Sequence, residues 1–121
     1  MAGSVSITYS STRAGAKSVQ WSWTSDSSGD VSGTDTDAIS GRAYRWATNP
    51  GSTAPTDDYD IVVNDADALD VAAGVLADRD TSNSEQAYPA ANTYHIFDGP
   101  LSLVVSSAGN AKEGVLTMYY T

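Results

Sequence analysis

The run Lys17-Ser18-Val19-Gln20-Trp21-Ser22-Trp23-Thr24-Ser25 decides the fold. Val19, Trp21 and Trp23 recur at every second position, with Gln20, Ser22 and Thr24 between them. Period two sends successive side chains to opposite faces of an extended backbone, whereas a helix returns apolar residues after three and four positions. The run therefore predicts a half-buried β-strand, with one face of large apolar groups and one of hydroxyls and an amide.

The same alternation spreads outward from it. Val5, Ile7 and Tyr9 alternate in Ser4–Ser10, Tyr44 and Trp46 in Arg42–Thr48, and Tyr59, Ile61 and Val63 in Asp58–Val63. Near the end, Leu101, Leu103 and Val105 alternate in Leu101–Ser107, as do Val115, Thr117 and Tyr119 in Gly114–Tyr120. Residues 108–113 between these two runs suit a hairpin loop. Asn92–Phe97 predicts a short strand, and Thr81–Tyr88 another that Pro89 ends. Asp26–Ser40 has no apolar period and predicts a loop; Asn49–Pro55 and Asp98-Gly99-Pro100 are breaker clusters. Alanine-rich Asn64–Arg79 departs from the pattern. With Asn64 or Asp65 as N-cap, and Leu69, Val71, Ala72, Val75 and Leu76 on one face, it predicts a short helix weakened at Gly74.

These elements predict an all-β fold: an antiparallel β-sandwich or jelly roll of seven or eight strands with one short helix. The expected core is Val19, Trp21, Trp23, Ile61, Val63, Leu101, Leu103 and Val115. A chain of 121 residues makes one domain, here 1–121, and buries enough surface to hold a core unaided. With no cysteine, that core has no disulfide or zinc–thiolate staple, and a thiol nucleophile is excluded. No run is apolar enough to cross a bilayer, and the opening Met1-Ala2-Gly3-Ser4 lacks the basic and apolar regions of a signal peptide.

Charge narrows the partners. Six Lys+Arg against 15 Asp+Glu give a net charge of −9. Phosphate-tracking grooves and anionic membranes both demand basic surface, so neither nucleic acid nor a membrane is an expected partner. Excess negative charge instead favours solubility. Seventeen Ser and twelve Thr raise the question of disorder, which the Trp, Tyr and Val content answers in favour of a core.

The search for chemistry is mostly negative, and no catalytic, cofactor or metal residue is expected. His95 is the single histidine, and no nucleophile elbow, S-x-x-K, H-E-x-x-H or phosphate loop accompanies it. Asn64, Asp65, Asp67 and Asp70 form an acidic cluster. Its third acid is one place late for a calcium loop, and the loop's glycine and distant glutamate are missing, so helix capping is the simpler role. Asp35 and Asp37 are weaker candidates still. Trp21, Trp23, Tyr44, Trp46 and Tyr59 would serve as a sugar-stacking platform if exposed, but their alternation favours the core.

Arg42, Tyr44, Arg45 and Trp46 are the candidate interface. Two of the four arginines sit there beside two aromatics, the residue types enriched at interface hot spots. Period two puts Arg42, Tyr44 and Trp46 on one face and Arg45 on the other. Either Tyr44 and Trp46 point inward with Arg42 at the rim, or Arg42 and Trp46 form an exposed anchor.

Two segments carry a resemblance. Tyr59–Gly74 runs from a Tyr-Asp strand into an acidic turn and Asp70-Val71-Ala72-Ala73-Gly74; Gly99–Gly114 holds Gly99-Pro100-Leu101-Ser102-Leu103 and Ala108-Gly109-Asn110-Ala111-Lys112. They resemble small structural proteins of tailed-bacteriophage virions, across roughly the second half of the chain. The resemblance implies a non-enzymatic capsid decoration, or cement, protein without cofactor. Such a protein assembles in the host cytoplasm and sits on the outer capsid as a dimer or trimer, with the major capsid protein and its own copies as partners. A neck or tail subunit, or a carbohydrate-binding sandwich for host attachment, is the alternative.

Overall fold

The computed structural model describes residues 3–11 and 17–121, with side chains of residues 33–35 left aside. Met1 and Ala2 of the opening segment, and the side chain of Asp35, therefore lie outside the described residues. Nine strands occur among them: β1 (Ser4–Ser11), β2 (Lys17–Thr24), β3 (Val31–Asp35), β4 (Ser40–Pro50), β5 (Asp60–Asn64), β6 (Glu85–Ala87), β7 (His95–Asp98), β8 (Ser102–Ser106) and β9 (Glu113–Tyr120). The larger sheet has the order β1-β2-β9-β4-β6, with β7 also on β4; the smaller is β3-β8-β5. Every pairing is antiparallel. From β2 to β5 consecutive strands change sheet, as do β8 and β9, which is jelly-roll topology.

The alternation in β2 sets the register. Trp21 lies opposite Ile7 of β1 and Leu116 of β9, and Trp23 opposite Val5 and Gly114. Val19, Trp21, Trp23, Trp46, Leu116 and Met118 of the larger sheet face Val31, Ile61, Val63, Leu103 and Val105 of the smaller. Fully burying each such side chain contributes roughly 1.5–3 kcal/mol. Gly114 is what admits the Trp23 ring: a Cβ there would stand 2.4 Å from Trp23 Cζ2.

Several expectations need correction. Val115 is outside the core, because it lies opposite outward Ser22, and Leu116, Met118 and Tyr120 take the inward positions. Residues 107–112 do not close a hairpin: β8 belongs to one sheet and β9 to the other, so the loop arches between sheets. Ser25 fastens that arch, its hydroxyl donating to Gly109 O at 2.5 Å and accepting from Lys112 N at 2.9 Å. The expected loop 26–40 contains β3, an edge strand that pairs with β8 through its backbone and needs no apolar period.

The helix expected over Asn64–Arg79 is replaced by consecutive turns, and no helix occurs among the described residues. Backbone bonds there span three residues, as from Ala68 N to Asp65 O and Ala73 N to Asp70 O. Asp side chains outcompete the helix for its own amides. Asp65 Oδ1 accepts from Asp67 N and Leu69 N, and Asp70 Oδ1 from Ala72 N and Val63 N. Ala68, Ala73, Gly74 and Asp78 take positive φ, which no right-handed helix tolerates. The run still buries Ala72 and Leu76, and it bonds along β5 through Val71 N to Val63 O and Ile61 N to Leu76 O. It thereby covers an edge that would otherwise be open to pairing. Leu69, assigned to the buried face, is instead exposed.

Candidate functional site

A β-bulge organises the interface segment. β4 pairs residue for residue with β9 from Arg45 opposite Tyr119 to Pro50 opposite Gly114, yet Ala43 lies opposite Tyr120, leaving Tyr44 as the extra residue. An extra residue reverses the facing of everything beyond it. Ala43 and Trp46 consequently both point inward and are fully buried, while Arg42 and Arg45 share the outer face. Strict period two would have separated the arginines. Tyr44 is half-buried at the bulge, and burial of Trp46 excludes an exposed anchor built on it.

Each arginine lies over a tyrosine. Arg45 Cζ is 4.6 Å from the ring centre of Tyr119, its cross-strand neighbour, and Arg42 Cζ is 5.2 Å from that of Tyr94. Such contacts contribute about 0.5–1 kcal/mol at exposed sites and hold the guanidinium plane in place. Among the described residues the ion pair is Arg79–Glu85 at 3.8 Å, so neither arginine is neutralised by a carboxylate of the chain. Arg45 Nε is also buried without a hydrogen-bond partner.

Beside them the edge of the sheet is interrupted. β6 pairs with Trp46–Thr48 of β4 and β7 with Ser40–Ala43, so the two are pieces of one edge strand split by residues 88–94. Three large side chains stand exposed there: Tyr88 (57%), Tyr94 (50%) and Ile96 (76%). Tyr94 and Ile96 escaped the sequence reading. Their alternation with His95 and Phe97 was visible, but which pair faced solvent was not.

Charge is unevenly placed. On β1, β2, β4 and β9, Glu113 is the sole carboxylate, and Ser52 Oγ and Thr53 N donate to it. The outward rows carry Ser6, Ser22, Val115 and Asn49, then Thr8, Gln20, Thr117, Ala47 and Gln86. Acidic groups crowd instead beside the smaller sheet, where Asp57 above all, with burial and then Asp78, Asp60 and Asp80, raises the Asp58 carboxyl above its usual value.

The other candidates take structural roles. Trp46 Nε1 donates to His95 Nδ1 at 2.9 Å, so the neutral imidazole carries its proton on Nε2 and has no spare lone pair to act as a base. Asp65 and Asp70 direct their oxygens at backbone amides, and no group of three metal-ligating side chains occurs among the described residues. Trp21, Trp23, Trp46 and Tyr59 are core residues and offer no sugar-stacking platform.

No family model matches the chain, and no curated protein matches it by sequence. Among solved structures, a cupin domain from Bordetella pertussis Tohama I is similar at 10% identity and a TM-score of 0.39, over 98% of this chain and 95% of that one. A xylan-binding module, CBM86, from the gut symbiont Roseburia intestinalis is similar at 12% identity and a TM-score of 0.41, over 99% and 89%.

Proposed function

We propose that this protein works by binding rather than by chemistry, as a decoration protein on the outer head shell of a tailed bacteriophage. The observation that carries the reading is the outer face of the larger sheet. In a chain of net charge −9, four of its strands carry a single, already engaged carboxylate, and at one end sit two arginines that form no ion pair among the described residues. A broad face poor in carboxylates, with Asp98 exposed at its β7 edge, can lie against another protein, while the acidic pole keeps undocked copies apart. The segments that resemble virion proteins form β5 with its turn run and β8 with the arch into β9, which are scaffold. The mechanism is interface burial: each docked copy ties neighbouring capsid subunits together, and many copies add.

Two measurements test this. Mass spectrometry of purified virions should find hundreds of copies, and added protein should bind undecorated heads to saturation and raise their resistance to heat. A handful of copies per particle would assign the chain to the neck or tail, and none would end the proposal.

A further inference from the structure

We infer that Arg42 and Arg45 are the reading heads of this face, and that what they read is a pair of carboxylates on a partner protein. The inference rests on the decoration reading for the partner's identity, and on geometry alone for its chemistry. The bulge at Tyr44 brings both arginines to one face, three residues apart, where an unbulged strand would divide them. Tyr119 and Tyr94 support their planes at 4.6 and 5.2 Å. A stacked guanidinium keeps edge N–H groups for bidentate bonds to a carboxylate and has little freedom left to lose on binding.

Charge complementarity then selects the occupant. Among the described residues no carboxylate of the chain forms an ion pair with either cation, although the sequence has 15 acidic residues. Ile96, 76% exposed on the strand paired with Arg42, adds an aliphatic contact suited to an apolar side chain. Tyr88 extends the patch, its hydroxyl donating to Gln86 Oε1 at 2.6 Å. Arginine and tyrosine around an exposed aliphatic group is the composition of a protein-binding hot spot.

The test has two arms. In the first, side-chain NMR signals of the wild-type protein are followed as tetraglutamate or tetralysine is added. Tetraglutamate should shift the Arg42 and Arg45 guanidinium signals together with Tyr94 and Tyr119, and tetralysine should not. Absence of these shifts, equal shifts with both peptides, or shifts confined to Lys17 and Lys112 would overturn the inference. In the second arm, Arg42→Gln and Arg45→Gln should each weaken binding to undecorated heads roughly thirtyfold. Arg45→Lys, which keeps the charge, should recover little because it lacks the planar fork. Heads bound equally by parent and variants would remove the arginine site and leave decoration standing. Peptide shifts without head binding would do the reverse.

Discussion

Trp46 and His95 are joined across the β4–β7 pairing by a hydrogen bond of 2.9 Å from the indole Nε1 to the imidazole Nδ1. Protonating His95 would place two N–H groups head to head. Burial lowers the His95 pKa below the usual 6.5, with Asp70 opposing the shift. The folded state therefore binds its proton less readily than the unfolded chain, and the stabilisation is complete above the unfolded value. It is lost as pH falls through 6.5 and then through the lowered folded value. The melting temperature should drop between about pH 7.5 and pH 5, and His95→Gln should flatten that slope. An unchanged slope in the variant would assign the dependence to other groups.

Gly114→Ala should be among the most damaging single-methyl additions to the protein. The new Cβ would meet Trp23 Cζ2 at 2.4 Å and Cε2 at 2.8 Å, in a ring that is itself 2% exposed. Overpacking of this kind costs about 1–3 kcal/mol, read from urea denaturation. Adding Trp23→Phe should recover part of the loss if that contact is its cause.

Asp70→Ala should destabilise by about 1–3 kcal/mol, because the carboxylate accepts from three amides that are then left without it. These are Val63 N and Ala72 N at 3.1 Å and Gly74 N at 2.9 Å. Asp67→Ala, on an exposed residue of the same cluster, should be close to neutral. Millimolar calcium should leave the melting temperature of the parent unchanged, since Asp65 and Asp70 are already committed to the backbone. A rise of many degrees with calcium and none with magnesium would count against that assignment.

Tyr59 should resist ionisation. Burial first, with smaller contributions from Glu85 and Asp80, pushes its phenol up to about 12, against the opposing effects of Arg79 and a hydrogen bond with Thr48. A raised acid is stable below its unfolded value of 10 and loses that contribution as pH climbs through the folded value. Tyrosinate absorbance should therefore show Tyr59 titrating late, beside Tyr120, whose phenol burial also raises, and Tyr59→Phe should remove its own late component.

Facing was legible in the sequence wherever strict alternation ran unbroken. Val19, Trp21, Trp23, Ile61 and Val63 are buried as their spacing requires. It failed wherever one residue was added. At Tyr44 the pattern still looks periodic, and nothing local marks the bulge that turns Trp46 inward and Arg45 outward; the constraint comes from β9, some seventy positions away. The arch over residues 107–112 failed differently, since Ser107, Gly109 and Ala111 with positive φ suit a hairpin and a crossing between sheets alike. Asn64–Arg79 kept its buried residues Ala72 and Leu76 but not its helix. Helix period and serial turns both return a side chain to one face, and the aspartates decided between them.

The position of β9 bears on how the protein is made. Residues 113–120 form the strand between β2 and β4, pairing Tyr120 with Lys17 and with Ala43. The larger sheet thus has no continuous centre until β9 has been synthesised and has left the ribosome. Until then β2 and β4 each lack a neighbour along one edge, and Trp21, Trp23 and Trp46, buried in the folded sheet, lack the β9 residues that pair beside them. Closing contacts between residues a hundred positions apart is slow, so nascent chains are exposed to mispairing for that interval. Translation that stalls before residue 113 would release a chain with two half-sheets and no means of joining them.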